Sequence, residues 1–253
     1  MRTALTRPVP ASLARCELTH LDREPIDVAL ASEQHRQYEA ALRALGCTIR
    51  QLPAADDQPD SVFVEDTAIV LDELAVMTRP GVESRRGERE SVAPVLSEYR
   101  ELVTIAAPGT IDGGDVLRLG ETLFVGLSSR TNEDGVKQLA RFVERFGYSV
   151  QAVQTKACLH LKSAATALAA DRVLCNPAWV DEKYFAGIDV VHIAPGEPRA
   201  ANVLCIGNSL ICTAAHERTI ADLRGRGYSV IPIDVSELAK AEAGVTCCSV
   251  IVE

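Results

Sequence analysis

The sequence predicts an α/β fold, a closed fivefold pseudosymmetric α/β propeller of strand–hairpin–helix repeats. Three observations carry this reading. Asp66, Asp112, His160, Asn202 and Cys247 each open a short apolar run, at successive intervals of 46, 48, 42 and 45 residues. A period of about 40 to 50 residues marks a propeller or array with one supersecondary unit per period. Between these positions one pattern returns: a β-rich run, a loop, then two apolar runs joined by a turn. Lastly, Thr3–Leu5 leads into Thr6-Arg7-Pro8 just as Val76–Met77 leads into Thr78-Arg79-Pro80. The N-terminus therefore reads as the second strand of a hairpin whose first strand is Cys247–Val252. Pairing the two ends closes the ring and leaves no open sheet edge.

Each element has its own local cause. Val28–Leu45, Val136–Phe146 and Arg218–Arg224 carry apolar residues at helical spacing. Gly46, Gly147, Gly187 and Gly227 fall where a helix would hand over to a strand, the place for a left-handed cap. Glu88–Glu101 lacks such a glycine, so its boundary stays open. The β-rich runs are Cys47–Pro53, Leu102–Pro108, Tyr148–Gln154, Asp189–Pro195 and Tyr228–Asp234. The hairpins pair Val62–Val70 with Ala75–Thr78, Val116–Leu119 with Thr122–Val125, Ala164–Ala169 with Arg172–Cys175, and Val203–Ile206 with Leu210–Thr213. No linker or low-complexity tract interrupts the series, and one domain over residues 1–253 is expected.

Composition narrows the function. Of 253 residues 47% are hydrophobic and 24% charged, as in globular rather than disordered chains. The net charge of −9, with Lys and Arg scattered, disfavours a nucleic-acid or anionic-membrane partner and admits a cationic ligand. Plain solubility explains the same charge more simply. Six of the eight cysteines, Cys16, Cys47, Cys158, Cys175, Cys205 and Cys212, sit singly beside apolar residues, as buried thiols do. There is no C-x-x-C pair and no zinc-like spacing. Residues 1–20 have no apolar signal core, and no apolar run is long enough for a bilayer. A soluble, cytoplasmic protein is expected. A homodimer is compatible with these features, and no pattern identifies its interface.

Five segments could carry chemistry. In Thr246-Cys247-Cys248-Ser249, strand alternation lets only one cysteine face a shared centre; the period selects Cys247 and packs Cys248. A lone cysteine is usually a small buried hydrophobe, but a histidine and carboxylates recur at matching positions. His160 alone among five histidines opens a repeat, and could supply acid/base chemistry near neutral pH; a histidine satisfied by backbone is the alternative. In Asp112-Gly113-Gly114-Asp115 the glycines permit close backbone approach, and Asp112 could orient His160. A plain turn is the alternative, and a phosphate loop is excluded because no lysine follows. Asp60, Glu65 and Asp66 crowd one short stretch, and the last two need a cation or donors beside the apolar run. A guanidinium ligand would fit, as would an internal arginine. Arg85 and Arg130 follow the second strands of their hairpins and could clamp a carboxylate; solvated surface charges are the alternative. The acidic surroundings also predict that the Cys247 thiol does not titrate far below about 8.5.

At these residues the chain resembles the dimethylarginine dimethylaminohydrolases, members of the guanidino-group-modifying pentein superfamily. The resemblance spans essentially the whole chain. It rests on Phe63-Val64-Glu65-Asp66, Ser84-Arg85-Arg86, Asp112-Gly113-Gly114-Asp115, Ser129-Arg130-Thr131-Asn132, Leu159-His160-Leu161-Lys162-Ser163 and Thr246-Cys247-Cys248-Ser249-Val250. It implies a fivefold α/β propeller and hydrolysis of asymmetric dimethylarginine and monomethylarginine to citrulline and dimethylamine or methylamine. It implies Cys247 as nucleophile, His160 as general acid/base and Asp112 as the residue orienting His160. Glu65 and Asp66 would hold the guanidinium, Arg85 and Arg130 the α-carboxylate. Asp60, with the backbone carbonyls of Leu18 and Ala241, would hold the α-amino group. The implied partner is a small methylated arginine, with no cofactor and no metal in the reaction, although adventitious zinc could inhibit at such a thiol. The alternatives are a deiminase-like hydrolase of another guanidine and a non-catalytic propeller that binds a partner.

Overall fold

The computed structural model describes residues 2–253, whose strands form five three-stranded sheets of one design. β1 (Thr3–Thr6) runs parallel to β2 (Thr48–Gln51). β3 (Ala68–Val70), β4 (Leu74–Met77) and β5 (Glu101–Thr104) make the second sheet, in that order. β6 (Val116–Leu119), β7 (Thr122–Leu127) and β8 (Ser149–Gln154) repeat it. So do β9 (Ala165–Ala169), β10 (Arg172–Cys175) and β11 (Asp189–His192), and then β12 (Val203–Ile206), β13 (Ser209–Thr213) and β14 (Ser229–Ile233). β15 (Val250–Val252) completes the first sheet by pairing antiparallel with β1, Thr3 opposite Val252. The two ends of the chain thus form one hairpin, as their sequence similarity to the second unit predicts.

In every sheet the middle strand is antiparallel to the first and parallel to the third. A parallel pair needs a crossover. Helices Val28–Ala44, Glu133–Val143 and Glu217–Gly225 provide three of them. The first two are capped by side chains, Asp27 accepting from the Leu30 N–H and Asn132 from the Gly135 N–H. The segment Glu88–Glu101, left open by the sequence, holds the end of a 3-10 helix, Glu83–Ser91, and a short helix, Ala93–Leu96. A 3-10 turn, Glu182–Phe185, makes the fifth crossover. Gly46, Gly147, Gly187 and Gly227 all have φ between +83° and +91°. No atom stands within 4 Å of a Cβ built on any of them, so backbone conformation rather than space selects glycine there.

Burial falls away at the third strands. β4 is buried along its whole length, whereas the third strands β2 and β5 have no buried residue. The first strands are shorter than expected. Val64–Thr67 is a 3-10 turn and β3 begins only at Ala68; β15 begins at Val250, three residues after Cys247. The missing strand residues bond across units instead: the Glu65 N–H donates to the Cys247 carbonyl at 3.1 Å. Their backbone groups are satisfied between turns rather than in a ladder. All eight cysteines are free thiols. Among the described residues no helix is long and apolar enough to cross a membrane.

Candidate active site

The turns that precede the first strands bring four of their five polar residues to one cavity, and the fifth, Asp112, stands behind His160. Asp66 sits in the turn Val64–Thr67, Asp112 just before the 3-10 turn Gly113–Asp115, and His160 at the N-cap of the one-turn helix Leu161–Ala164. Asn202 stands one residue before β12 and Cys247 in the turn before β15. Asp66, His160, Asn202 and Cys247 line the cavity, with Asp60, Glu65, Arg85, Arg130 and Ala241. Leu18 is not among the lining residues. Its side chain packs against the core beneath helix Val28–Ala44, and the neighbouring Glu17 reaches the cavity.

His160 is buried between two carboxylates. Its Nε2 lies 3.2 Å from Asp112 Oδ2 and its Nδ1 3.8 Å from Asp66 Oδ1. The other Asp112 oxygen accepts the Gly81 N–H at 3.0 Å. The paired glycines make this packing feasible: a Cβ on Gly114 would stand 2.5 Å from His160 Nδ1, and one on Gly113 would strike the Glu65 carbonyl. Gly114 also donates its N–H to Asp66 Oδ1 at 3.0 Å. Asp115, in the same motif, fixes the His160 turn from outside. Its Oδ1 accepts the Leu161 N–H at 2.9 Å and its Oδ2 the Ser128 and Thr131 hydroxyls at 2.6 and 2.7 Å.

These contacts set the charges. Burial opposes a charged imidazole, yet the carboxylates of Asp66 and Asp115 and the bond with Asp112 raise His160 to about 9. Burial also opposes ionisation of Asp66, but His160 and Arg85 outweigh it and lower Asp66 to about 2. Cys247 is partly buried and its Sγ accepts the Gly244 N–H at 3.4 Å. Burial first, then Glu65 and Asp66, push its thiol up to about 12, the direction the acidic surroundings predict. At neutral pH the site holds an imidazolium and a neutral thiol. Cys248 points the other way, into the core with 1% exposure.

The charged walls are paired unevenly. Glu65 accepts Lys162 Nζ at 2.7 Å and the Thr246 hydroxyl at 2.8 Å. Arg85 donates Nη1 to Asp66 at 2.8 Å, and Nε and Nη2 to Glu88 at 3.0 and 2.9 Å. Internal pairing, the plainer of the two sequence readings of the acidic pair, is thus present. An ionised carboxylate offers about four acceptor sites, so neither is saturated. Arg130, also buried, donates Nη2 to the Thr19 hydroxyl at 2.9 Å, while its Nη1 has no partner among the described residues. Neither arginine is a solvated surface charge. Asp60 accepts the Glu17 N–H at 3.1 Å, and burial raises its pKa despite Arg85.

A family model described as "Arginine deiminase" matches residues 54–198. An N(G),N(G)-dimethylarginine dimethylaminohydrolase of Streptomyces coelicolor is 40% identical over 251 residues, covering 98% of this chain and 96% of the relative. The chain belongs to the dimethylarginine dimethylaminohydrolase family. A second relative of that name, from Pseudomonas aeruginosa, is 36% identical, covering 88% of this chain and 89% of its own. A solved structure of DDAH from Pseudomonas aeruginosa, a cysteine-to-serine variant complexed with citrulline, superposes with a TM-score of 0.94 at 33% identity, covering 99% and 98% of the two chains.

In this dimethylarginine dimethylaminohydrolase-family chain several site residues escape the sequence reading. Lys162 and Thr246 stand inside the quoted motifs, but their partner Glu65 lies 97 and 181 residues away. Asn202 opens a repeat without an assigned task. Glu88 carries no sequence signal beyond falling three residues after Arg85. Asp66, Asp112 and His160 bring donor atoms within 4.8 Å of one another, the spacing of a metal site. An imidazolium engaged by two carboxylates has no lone pair for a metal, so a cation there would have to displace the proton that His160 holds.

Proposed function

We propose that this chain hydrolyses N-omega-methylated arginines, asymmetric dimethylarginine and monomethylarginine, to citrulline and dimethylamine or methylamine. The observation that carries the reading is the convergence of Cys247 with the His160–Asp112 pair in one acidic cavity. Family membership supports it independently.

In this reading Glu65 and Asp66 receive the substrate guanidinium, and the buried Nη1 of Arg130 receives the α-carboxylate, with Arg85 beside it. Asp60, Ala241 and the Glu17–Leu18 segment surround the α-amino group. A thiol held near 12 is inert at neutral pH; the arriving guanidinium cation promotes its ionisation, and because His160 already carries a proton the thiol proton leaves to solvent. The Cys247 sulfur then bonds to the guanidinium carbon. The carbon–nitrogen bond to dimethylamine breaks as His160, protonated at neutral pH, gives that nitrogen its proton. The product is a cationic thiouronium on Cys247. His160, now neutral, takes a proton from water as its oxygen attacks the same carbon; the carbon–sulfur bond breaks, releasing citrulline and the thiol. Asp112 keeps the imidazole aligned through both steps.

The fold reading has the same status. The five sheets are read as blades of a closed ring forming one domain over residues 1–253. Support comes from the pairing of β15 with β1 and from the neighbouring first strands β15 with β3, β6 with β9, and β9 with β12. Eight free thiols support a reducing, cytoplasmic setting.

The test is citrulline release from asymmetric dimethylarginine, monomethylarginine and arginine, each incubated separately, with Cys247→Ser as control. Turnover of the methylated substrates alone, lost in the control, is expected. Turnover of arginine alone would move the chain to a deiminase, the activity in the name of the matching family model. No turnover of any would favour a binding protein.

A further inference from the structure

Of the five polar residues that open the repeats, Asn202 is the one the reaction above leaves without a task. It is buried, and all its side-chain polar atoms are engaged. Oδ1 accepts the Thr246 N–H at 3.2 Å; Nδ2 donates to Thr246 Oγ1 at 3.0 Å and to the Lys162 carbonyl at 3.0 Å. These partners belong to different units. Lys162 lies in the His160 turn, which closes on itself through the Ser163 N–H and the His160 carbonyl at 3.0 Å. Thr246 immediately precedes Cys247. Gly244, which donates its N–H to Cys247 Sγ, lies so close that a Cβ there would strike Asn202 Oδ1.

We infer that Asn202 is a positioning residue that ties the His160 turn to the Cys247 turn and so sets the separation of proton donor and nucleophile. This rests on the roles given to Cys247 and His160 above. The task requires a carboxamide. It needs one acceptor and two donors on one short side chain, whereas an aspartate would lose both donated bonds and face the Lys162 carbonyl with a charge. Asp115 holds the His160 turn at Leu161, so removing Asn202 frees the side of that turn nearest Cys247. A shift of about 1 Å between reacting groups costs on the order of 100-fold in rate.

The consequence is specific to the leaving group. Dimethylamine must be protonated to depart, whereas the methanethiol of an S-methyl isothiourea analogue departs with far less help from His160. Asn202→Ala and Thr246→Val are therefore compared with the unaltered protein on asymmetric dimethylarginine and on that analogue in single turnovers, following dimethylamine or methanethiol, because the thiouronium that follows and its hydrolysis are common to both. For Asn202→Ala, the rate of dimethylamine release should fall about 100-fold and that of methanethiol less than about 10-fold, with steady-state KM values within about threefold. Thr246→Val, which removes one of these bonds together with the hydroxyl's bond to Glu65, should reproduce the difference between the two leaving groups in smaller measure, whatever uniform loss the Glu65 bond adds to both. It also keeps the test decisive should Asn202→Ala fail to fold. Equal losses on both substrates, an effect confined to KM, or no effect would overturn the inference. Citrulline release by Cys247→Ser would overturn the underlying roles instead, and so separates the two failures.

Discussion

Asp66, Arg85, Glu88, Asp112 and His160 form one buried cluster at the cavity, in which opposite charges meet at 2.8 to 3.2 Å. Arg130, equally buried, has the Thr19 hydroxyl as the acceptor for its Nη2 and, among the described residues, no partner for its Nη1. Arg85 and Arg130 thus enter one pocket from different units with opposite degrees of satisfaction. A buried donor without a partner costs about 1–3 kcal/mol, which a carboxylate arriving at that donor would recover. The difference is between a cluster whose charges are paired internally and an arginine with a donor left over, which in the proposed reading the substrate carboxylate completes.

The largest effect that could break this comparison is on stability. Arg85→Ala would leave Glu88 a buried carboxylate without its cation and Asp66 with only His160 and the Gly114 N–H, and a loss of about 3–5 kcal/mol is expected by urea denaturation. A loss below about 1 kcal/mol would mean that Arg85 is no more committed than Arg130. Next in size is Arg130→Ala, which should raise KM for asymmetric dimethylarginine about 10- to 100-fold, as expected for losing a charged hydrogen bond, with stability little changed. A fall in kcat at constant KM would contradict that assignment.

Titration sharpens the picture of the paired cluster. His160 is raised from its ordinary value of 6.5 to about 9, so its contribution to stability is complete below 6.5 and is lost as pH rises through 9. Asp66 is lowered from 3.8 to about 2, so its contribution is present above 3.8 and is lost as pH falls through 2. Denaturation midpoints measured across the basic limb should decline in the unaltered protein and flatten in His160→Gln. The smallest effect belongs to Cys248. Cys248→Ala removes a packed thiol and should cost about 1 kcal/mol while leaving citrulline release intact.

Much of this site was legible because the repeat places one polar residue per unit where the units meet. Asp66, Asp112, His160, Asn202 and Cys247 open their repeats in the sequence, and the Gly113-Gly114 pair reads there as a place of close backbone approach. Cys247 and Cys248 diverge as strand alternation predicts, even though the strand begins only at Val250. What the sequence hides is pairing across units. Nothing near Glu65 announces Lys162 or Thr246, and nothing near Arg85 announces Asp66, 19 residues before it. The extent of the first strands was misjudged for a related reason. Apolar residues such as Val62 and Val64 continue the strand pattern, while their backbone turns to serve the cavity. Leu18 was expected to act through its backbone carbonyl, which side-chain pattern does not report; its side chain packs on the core and its neighbour Glu17 lines the pocket.

The most direct measurement is acid quenching during turnover of asymmetric dimethylarginine, followed by peptide mass spectrometry of residues 241–253. A substrate-derived adduct, the mass of dimethylarginine less dimethylamine, is predicted on Cys247 and absent from Cys248. An adduct on Cys248, or citrulline formed with no adduct on either thiol under any quench time, would contradict Cys247 as the nucleophile of this cavity.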